Sequence, residues 1–288
     1  MLNKTFDILD KSRPRAAGST ISMLDLEFAQ LSDAGSVREQ NEDYLDAVVP
    51  KTGTLAESHG WLFVLADGVG GHDDGEVASR LAVESVCNGF RAAREYELHR
   101  SLLPKLLQDA NAGLLDAASS SRKNGPGMAT TMVACAVRSD RAVVCHVGDS
   151  RCYLIRRGHA EVLTRDHTMA NEQIRLGLLS KREAAESPMR HMLSRSLGSD
   201  LFVAVDVNEH QVVPGDVLLL CSDGLHGAVP EKQMELIISD NPDLRTAAKE
   251  LINAANQLDG SDNVSVQLVR VRSVERTGMY RGRPYKLA

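Results

Sequence analysis

Four apolar segments follow one another at about 129–137, 142–147, 151–156 and 160–163, joined only by Ser139-Asp140, Gly148-Asp149-Ser150 and Arg157-Gly158. Such links are too short for the crossover that a parallel pair needs, so the segments must be hairpins of an antiparallel sheet. Other strand patterns flank this block. Leu24, Leu26 and Phe28 alternate with Asp25 and Glu27, residues 44–49 and 61–66 are apolar, and strands return at about 202–210, 217–222 and 264–271. Residues 50–60 read as a loop. Helical spacing joins Val77, Leu81, Val86 and Phe90, and then Leu98, Leu102, Leu106, Leu107, Leu114 and Leu115, with an interruption expected near Pro104. Two more helices are expected at about 230–239 and 243–257. This order (strands, two helices, strands, two helices, strand) does not alternate βαβα, which excludes a doubly wound parallel sheet. It predicts an α/β domain of the α+β type: a four-layer sandwich, two antiparallel β-sheets flanked by helix pairs.

The ends differ from this body. Residues 1–22 are polar and irregular and read as a flexible N-terminal extension; 23–272 form the domain; 273–288 are a tail in which Arg276, Arg281, Arg283 and Lys286 face one acid, Glu275. Residues 119–127 read as a loop, and the polar stretch 165–199, broken by Gly177, Pro188 and Gly198, as a mobile flap. Five cysteines, Cys87, Cys135, Cys145, Cys152 and Cys221, form no C-x-x-C pair and mostly lie in apolar runs, as reduced packing residues do. That composition points to a reducing compartment, and no apolar run reaches the ~18–20 residues of a membrane span, so a cytoplasmic protein without a span is expected. The net charge of −6 excludes a general nucleic-acid binder.

Four aspartates share a setting that asks for an explanation. Asp67 follows the apolar run Phe63-Val64-Leu65-Ala66 and precedes Gly68; Asp223 follows Leu220-Cys221-Ser222 and precedes Gly224; Asp149 and Asp262 border strands. Each alone reads as a turn aspartate. Fully apolar strands converge at the centre of a sheet, however, and only Asp149 has an arginine close in sequence, Arg151. Carboxylates brought together without a cation repel one another, and a hard divalent ion such as Mg²⁺ or Mn²⁺ resolves the repulsion through oxygen ligands.

Several strings occur in a telling order. They are Arg38-Glu39-Gln40-Asn41-Glu42-Asp43, Ala66-Asp67-Gly68-Val69-Gly70-Gly71-His72, Met128-Ala129-Thr130-Thr131, Gly148-Asp149-Ser150-Arg151, Arg165-Asp166-His167, Cys221-Ser222-Asp223-Gly224-Leu225 and Gly260-Ser261-Asp262-Asn263. Between residues 24 and 271 the chain resembles the bacterial branch of the metal-dependent protein phosphatases, the protein phosphatase 2C-like family. The resemblance implies a β-sandwich flanked by helix pairs and two Mn²⁺ or Mg²⁺ ions, with a weaker third site. By motif, Asp67 bridges both ions, the Gly68 carbonyl adds a ligand, Asp223 and Asp262 hold one ion, Glu42 acts through water, and Asp149 with Asp223 forms the third site. Arg38 binds the substrate phosphate, so Asp67, Asp223 and Arg38 are the expected catalytic set. The implied reaction is hydrolysis of phosphoserine and phosphothreonine in proteins by a metal-activated water, reversing a Ser/Thr kinase, by a monomer. No protein nucleophile is needed, and Cys221 reads as a packed strand residue. Val69 stands where many eukaryotic relatives carry a histidine proposed as general acid, which leaves water as the proton source; His72 reads as a turn residue and His167 as a structural partner.

Two rivals carry less. A dinucleotide fingerprint needs a third glycine where Asp73 stands, and Asp67, Asp73 and Asp74 would repel a pyrophosphate. A non-catalytic phosphoprotein binder on the same fold conflicts with every expected ligand position being filled.

Overall fold

The computed structural model describes residues 24–69, 74–120, 128–274, 277–280 and 283–286. The expected extension 1–22 lies outside these residues, as do 70–73, with His72, and most of the 119–127 loop. The first part of the chain forms β1 (Asp25–Asp33), β2 (Asp43–Val48), α1 (Gly53–Ser58), β3 (Trp61–Val69), α2 (Asp74–Arg91) and α3 (His99–Ser120). The hairpin block gives β4 (Ala129–Thr130), β5 (Met132–Arg138), β6 (Arg141–Val147), β7 (Arg151–Arg156) and β8 (His159–Val162). Then come α4 (Met169–Arg175), α5 (Lys181–Ala185), a 3₁₀ turn (Pro188–His191), β9 (Asp206–Gln211) and β10 (Val217–Cys221). The chain closes with α6 (Asp223–His226), α7 (Glu231–Asp240), α8 (Leu244–Leu258), β11 (Val264–Ser273) and a hairpin, β12 (Thr277–Tyr280) with β13 (Arg283–Lys286).

Two large sheets result beside the two-stranded β12–β13 hairpin, one ordered β2-β3-β5-β6-β9 with β4 beside β3, the other β1-β11-β10-β7-β8. Every pairing in both is antiparallel. The alternation of side chains along a strand explains why β3 and β10 are apolar throughout. Leu62, Val64 and Ala66 pack against α2 and α3, whereas Phe63 and Leu65 face the other sheet. Likewise Val217, Leu219 and Cys221 pack under α7 and α8, and Leu218 and Leu220 face β3. Both strands are therefore buried on two sides, and three apolar layers hold helices, sheet, sheet and helices together in the expected four-layer sandwich. Phe28 closes the inter-sheet layer, edge-on to Phe63 at 5.4 Å between ring centres.

Several local expectations change. Residues 53–58 form a short helix capped by Thr52, whose hydroxyl accepts the Leu55 N–H, so 50–60 is not simply loop. Pro104 does not interrupt α3. It is half-exposed, and the carbonyl it leaves unpaired belongs to the exposed Arg100, where water can satisfy it. The strand expected at 202–210 begins only at Asp206, and Leu201 and Phe202 stand exposed before it. The basic tail, for which the sequence predicts no element, holds the β12–β13 hairpin. The strand expected at 129–137 splits at Thr131, and the split places Thr131 beside Asp67.

Candidate active site

Asp67 does not end its strand, because β3 continues to Val69 by pairing Gly68 and Val69 with Thr130 and Ala129. Thr131, at the break between β4 and β5, turns both its groups to Asp67: its N–H donates to the Asp67 carbonyl at 2.8 Å and its hydroxyl accepts the Asp67 N–H at 3.0 Å. The Thr130 hydroxyl donates to the same carbonyl at 2.7 Å. The backbone of Asp67 is thereby fixed and its carboxylate enters an open cleft. Gly68 must lack a side chain here, since a Cβ would lie 2.3 Å from the Gly75 carbonyl oxygen at the start of α2.

The other sheet supplies the partners. Asp223 opens α6 directly after β10, behind the N-cap Ser222. The Ser222 hydroxyl donates to Asp43 at 2.8 Å and accepts the Ser265 N–H at 3.0 Å, tying β10, β2 and β11 at one point. Asp262 precedes β11, and a Cβ at Gly224 would meet the Asn263 carbonyl oxygen at 2.1 Å, so only glycine lets these loops approach. Asn263 staples the assembly: its side-chain oxygen accepts the Glu42 N–H at 2.8 Å, and its amide donates to the carbonyls of Gln40 at 2.9 Å and Ala34 at 3.0 Å.

Asp149 sits in the turn after β6. The His226 ring lies 2.9 Å from its carbonyl oxygen through Nε2, and the neighbouring Gly148 exchanges two bonds with His167. Arg151, the cation nearest in sequence, does not pair with Asp149: its fork grips Asp166 at 2.8 and 2.7 Å. The result is a cleft of about 1040 Å³ lined by Asp67, Gly68, Asp149, Asp223, Asp262 and Glu42, with Arg38 on its rim. The residues expected to hold metal or phosphate, Arg38, Glu42, Asp67, Gly68, Asp149, Asp223 and Asp262, therefore line one cleft, whereas Cys221 and His167 do not line it. Arg38 is half-exposed and rests on Asp262 at 3.0 Å while its Nε donates to the Ser261 carbonyl.

Electrostatics in this cleft are unfavourable for the chain alone. Burial, reinforced by the charges of Asp43, Asp223 and Asp149, holds Asp67 well above the usual carboxylate range. Burial with the Asp223 charge raises Asp149 to about 8, and burial with the Asp262 charge raises Asp223. One Asp223 oxygen, Oδ1, is buried without a partner, as is Oδ1 of Asp43.

Asp43 joins the site although its sequence context alone did not single it out. It pairs across the β2–β3 ladder with Asp67, is buried, and is pushed up to about 7 by its burial. Its position two residues before the buried Leu45, on the same strand face, could have flagged it. Ser222 and Asn263 stand out in the sequence only as neighbours of aspartates, and nothing there marks His226. A second group, His146, His167 and Asp206, offers three ligand-type atoms within 4.8 Å of one another. Arg195 and Arg165 already approach Asp206 at 3.1 and 3.7 Å, and these charges repel a cation. His167 accepts the Gly148 N–H at Nδ1, and its Nε2 lies 3.4 Å from Asp206 and 3.3 Å from the Arg195 guanidinium. Burial lowers His167 to about 4, leaving a neutral clamp between the 165–199 segment and the Asp149 turn.

Known proteins resemble this chain in sequence and fold. Residues 36–269 match the family model described as protein phosphatase 2C. The serine/threonine phosphatase stp of Listeria innocua is 35% identical over 257 residues, covering 88% of this chain and 96% of that one. The Mycobacterium tuberculosis serine/threonine phosphatase PstP/Ppp superposes with a TM-score of 0.76 at 30% identity, covering 86% of this chain and 99% of that one. The catalytic domain of PstP in complex with two manganese ions gives a TM-score of 0.74 at 29% identity, with 86% and 99% covered. The chain belongs to the protein phosphatase 2C family, the metal-dependent serine/threonine protein phosphatases.

Proposed function

We propose that this chain, a serine/threonine protein phosphatase, hydrolyses phosphoserine and phosphothreonine with a metal-activated water and so reverses a Ser/Thr kinase. The catalytic domain is 23–272, with 165–199 as its flap. The observation that carries this reading is the convergence of Asp67, Asp149, Asp223 and Asp262 from both sheets on one cleft, where among the described residues only the half-exposed Arg38 forms an ion pair with any of them, Asp262. Oxygen donors that repel one another, beside unpartnered buried carboxylate oxygens on Asp223 and Asp43, fit a hard divalent ion. Asp67 and the Gly68 carbonyl, with Asp223 and Asp262, are the residues that would hold two Mn²⁺ or Mg²⁺ ions. Asp149 with Asp223 would hold a third, and Glu42 would act through water. Two manganese ions in the related PstP domain agree with this count. Bound there, such ions supply the charge that lowers the pKa of water to about 7 and neutralises phosphoryl oxygens.

The chain's own groups do the remaining work. Arg38, held at the rim by a half-exposed ion pair, can exchange Asp262 for phosphoryl oxygens, which its planar fork matches. Asp43, beside Asp67 on the ladder and pushed up to about 7 by burial, releases its proton more readily when a positive charge is near. The His226 and His167 contacts hold the Asp149 turn at the edge of the cleft. No side chain is needed as nucleophile: Cys221 is fully buried in β10, and its thiol is pushed up to about 12 by burial.

The test is turnover of a phosphothreonine peptide with Mn²⁺, with chelator, and in Asp67→Ala and Asp223→Ala. Activity should need the metal and both aspartates. Activity that survives chelation or either substitution refutes the reading.

A further inference from the structure

The flap carries five arginines, Arg165, Arg175, Arg182, Arg190 and Arg195. Four of them are answered by carboxylates. Arg165 and Arg195 meet Asp206 at 3.7 and 3.1 Å, Arg175 meets Glu172 at 2.7 Å, and Arg182 meets Glu186 at 3.6 Å. Arg190 alone meets no carboxylate among the described residues; its Nε donates to the ring Nε2 of His191 at 2.7 Å. Both residues are exposed, and both line the cleft that holds the four aspartates.

Their position is fixed rather than loose. They end the 3₁₀ turn, which Ser187 caps by accepting the Met189 N–H. Directly after it, the Met192 carbonyl accepts the Met169 N–H at 2.7 Å, and the Ser194 N–H donates to the His167 carbonyl at 2.8 Å. The turn is thus tied to the same clamp that holds the Asp149 loop. Asp259 and Asp262 also line the cleft, so 165–199 brings it the cations Arg190 and His191 and the rest of the lining brings its carboxylates, with Arg38 already on Asp262. A guanidinium carried into a cleft by a tied backbone turn, with no carboxylate on its fork among the described residues, is a site for an anion. Arg38 serves the phosphoryl group under the proposed function, which leaves Arg190 for a second anionic group of the substrate.

We propose that Arg190, with His191 beside it, recognises an acidic group on a residue flanking the phosphorylated serine or threonine. The preferred substrates are then acidic or multiply phosphorylated segments. This rests on the phosphatase reading, and the shared chemistry, a carboxylate or a second phosphate, can be resolved by experiment.

Four phosphothreonine peptides serve as probes, identical except for flanks of Ala, Asp, Lys or a second phosphothreonine, assayed with Mn²⁺. The wild type should favour the Asp or second-phosphate flank over Ala by about fivefold in kcat/KM, carried by KM and shrinking as salt rises. The larger of the two ratios names the natural anion. Arg190→Ala should bring the ratio to about one, Arg190→Lys should restore part of it, and Arg190→Glu should favour the Lys flank. The proposal is overturned if the wild type shows no acidic preference, or if Arg190→Ala leaves the preference intact. It is equally overturned if Arg190→Ala lowers all four peptides alike, because Arg190 would then act on the scissile phosphate. No turnover of the Ala-flanked peptide by the wild type speaks against the phosphatase reading itself, which separates the two failures.

Discussion

Stripping divalent ions should make this protein lose stability as pH rises through the neutral range. The cause is the carboxylate cluster. Asp43 ionises at about 7 in the folded chain against 3.8 ordinarily, because burial opposes its charge. Below 3.8 the group is protonated in both folded and unfolded chains and costs nothing. Between 3.8 and about 7 the unfolded chain releases its proton while the folded chain keeps it, so each step up in pH favours unfolding. The full interval is worth about 4 kcal/mol, and the part between about pH 5 and about pH 7 is worth about 2 kcal/mol. Asp149, raised to about 8 by burial and the Asp223 charge, extends the fall to higher pH, although coupled groups do not add in full. For a domain of this size about 2 kcal/mol corresponds to a drop of about 6 °C in Tm. The assay is thermal melting in chelator from about pH 5 to about pH 8, beside the same series with saturating Mn²⁺. The chelated Tm should fall across the series, the Mn²⁺ series should not follow it, and Asp43→Asn should raise the chelated Tm at the alkaline end. A chelated Tm that stays level or climbs, or one that Asp43→Asn leaves unchanged, refutes the argument that these carboxylates are held together against their own repulsion.

Three further outcomes are expected from the packing. Gly224→Ala places a Cβ at 2.1 Å from the Asn263 carbonyl oxygen, so it should cost about 3 kcal/mol in chemical denaturation and weaken Mn²⁺ binding measured by calorimetry. Asn263→Ala removes three hydrogen bonds from a buried side chain and should cost about 3 kcal/mol, with activity restored in part by excess Mn²⁺ because loops rather than ligands are lost. Cys221→Ala should keep its kcat on a phosphothreonine peptide while losing about 1–2 kcal/mol of stability to the small cavity left in β10.

The layer order was legible because the strands that form it are apolar on both faces. Phe63 and Leu65 alternate with Leu62 and Val64 between two cores, and no single-sided sheet gives that run. The cleft aspartates were legible through their motifs, whose order a chain can hardly match by chance. What escaped depends on contacts far apart in sequence. Asp43 becomes informative only through its register with Asp67, and Asn263 through loops more than two hundred residues away. The break at Thr131 was hidden because its neighbours have uniform strand character, and only the approach of Asp67 breaks the ladder there. The helix through Pro104 was hidden because the cost of proline depends on where the unpaired carbonyl points.

The location of the cleft is set by the same two-sided strands. Asp67 rides on β3 of one sheet, and Asp223 comes directly after β10 of the other. Their separation is therefore set by the layer between the sheets, where Phe63 and Leu65 meet Leu218 and Leu220. Each such fully buried side chain contributes about 2 kcal/mol, so the layer can hold carboxylates together whose mutual repulsion and burial cost several kcal/mol. An acidic site of this kind needs rigid support from two directions, because a single sheet or a loop could relax and let the charges part. A sandwich supplies it: closing the inter-sheet layer brings the carboxylates together, and under the proposed function an ion would meet ligands already in place. Loosening that layer should therefore raise the Mn²⁺ concentration needed for activity before it unfolds the chain.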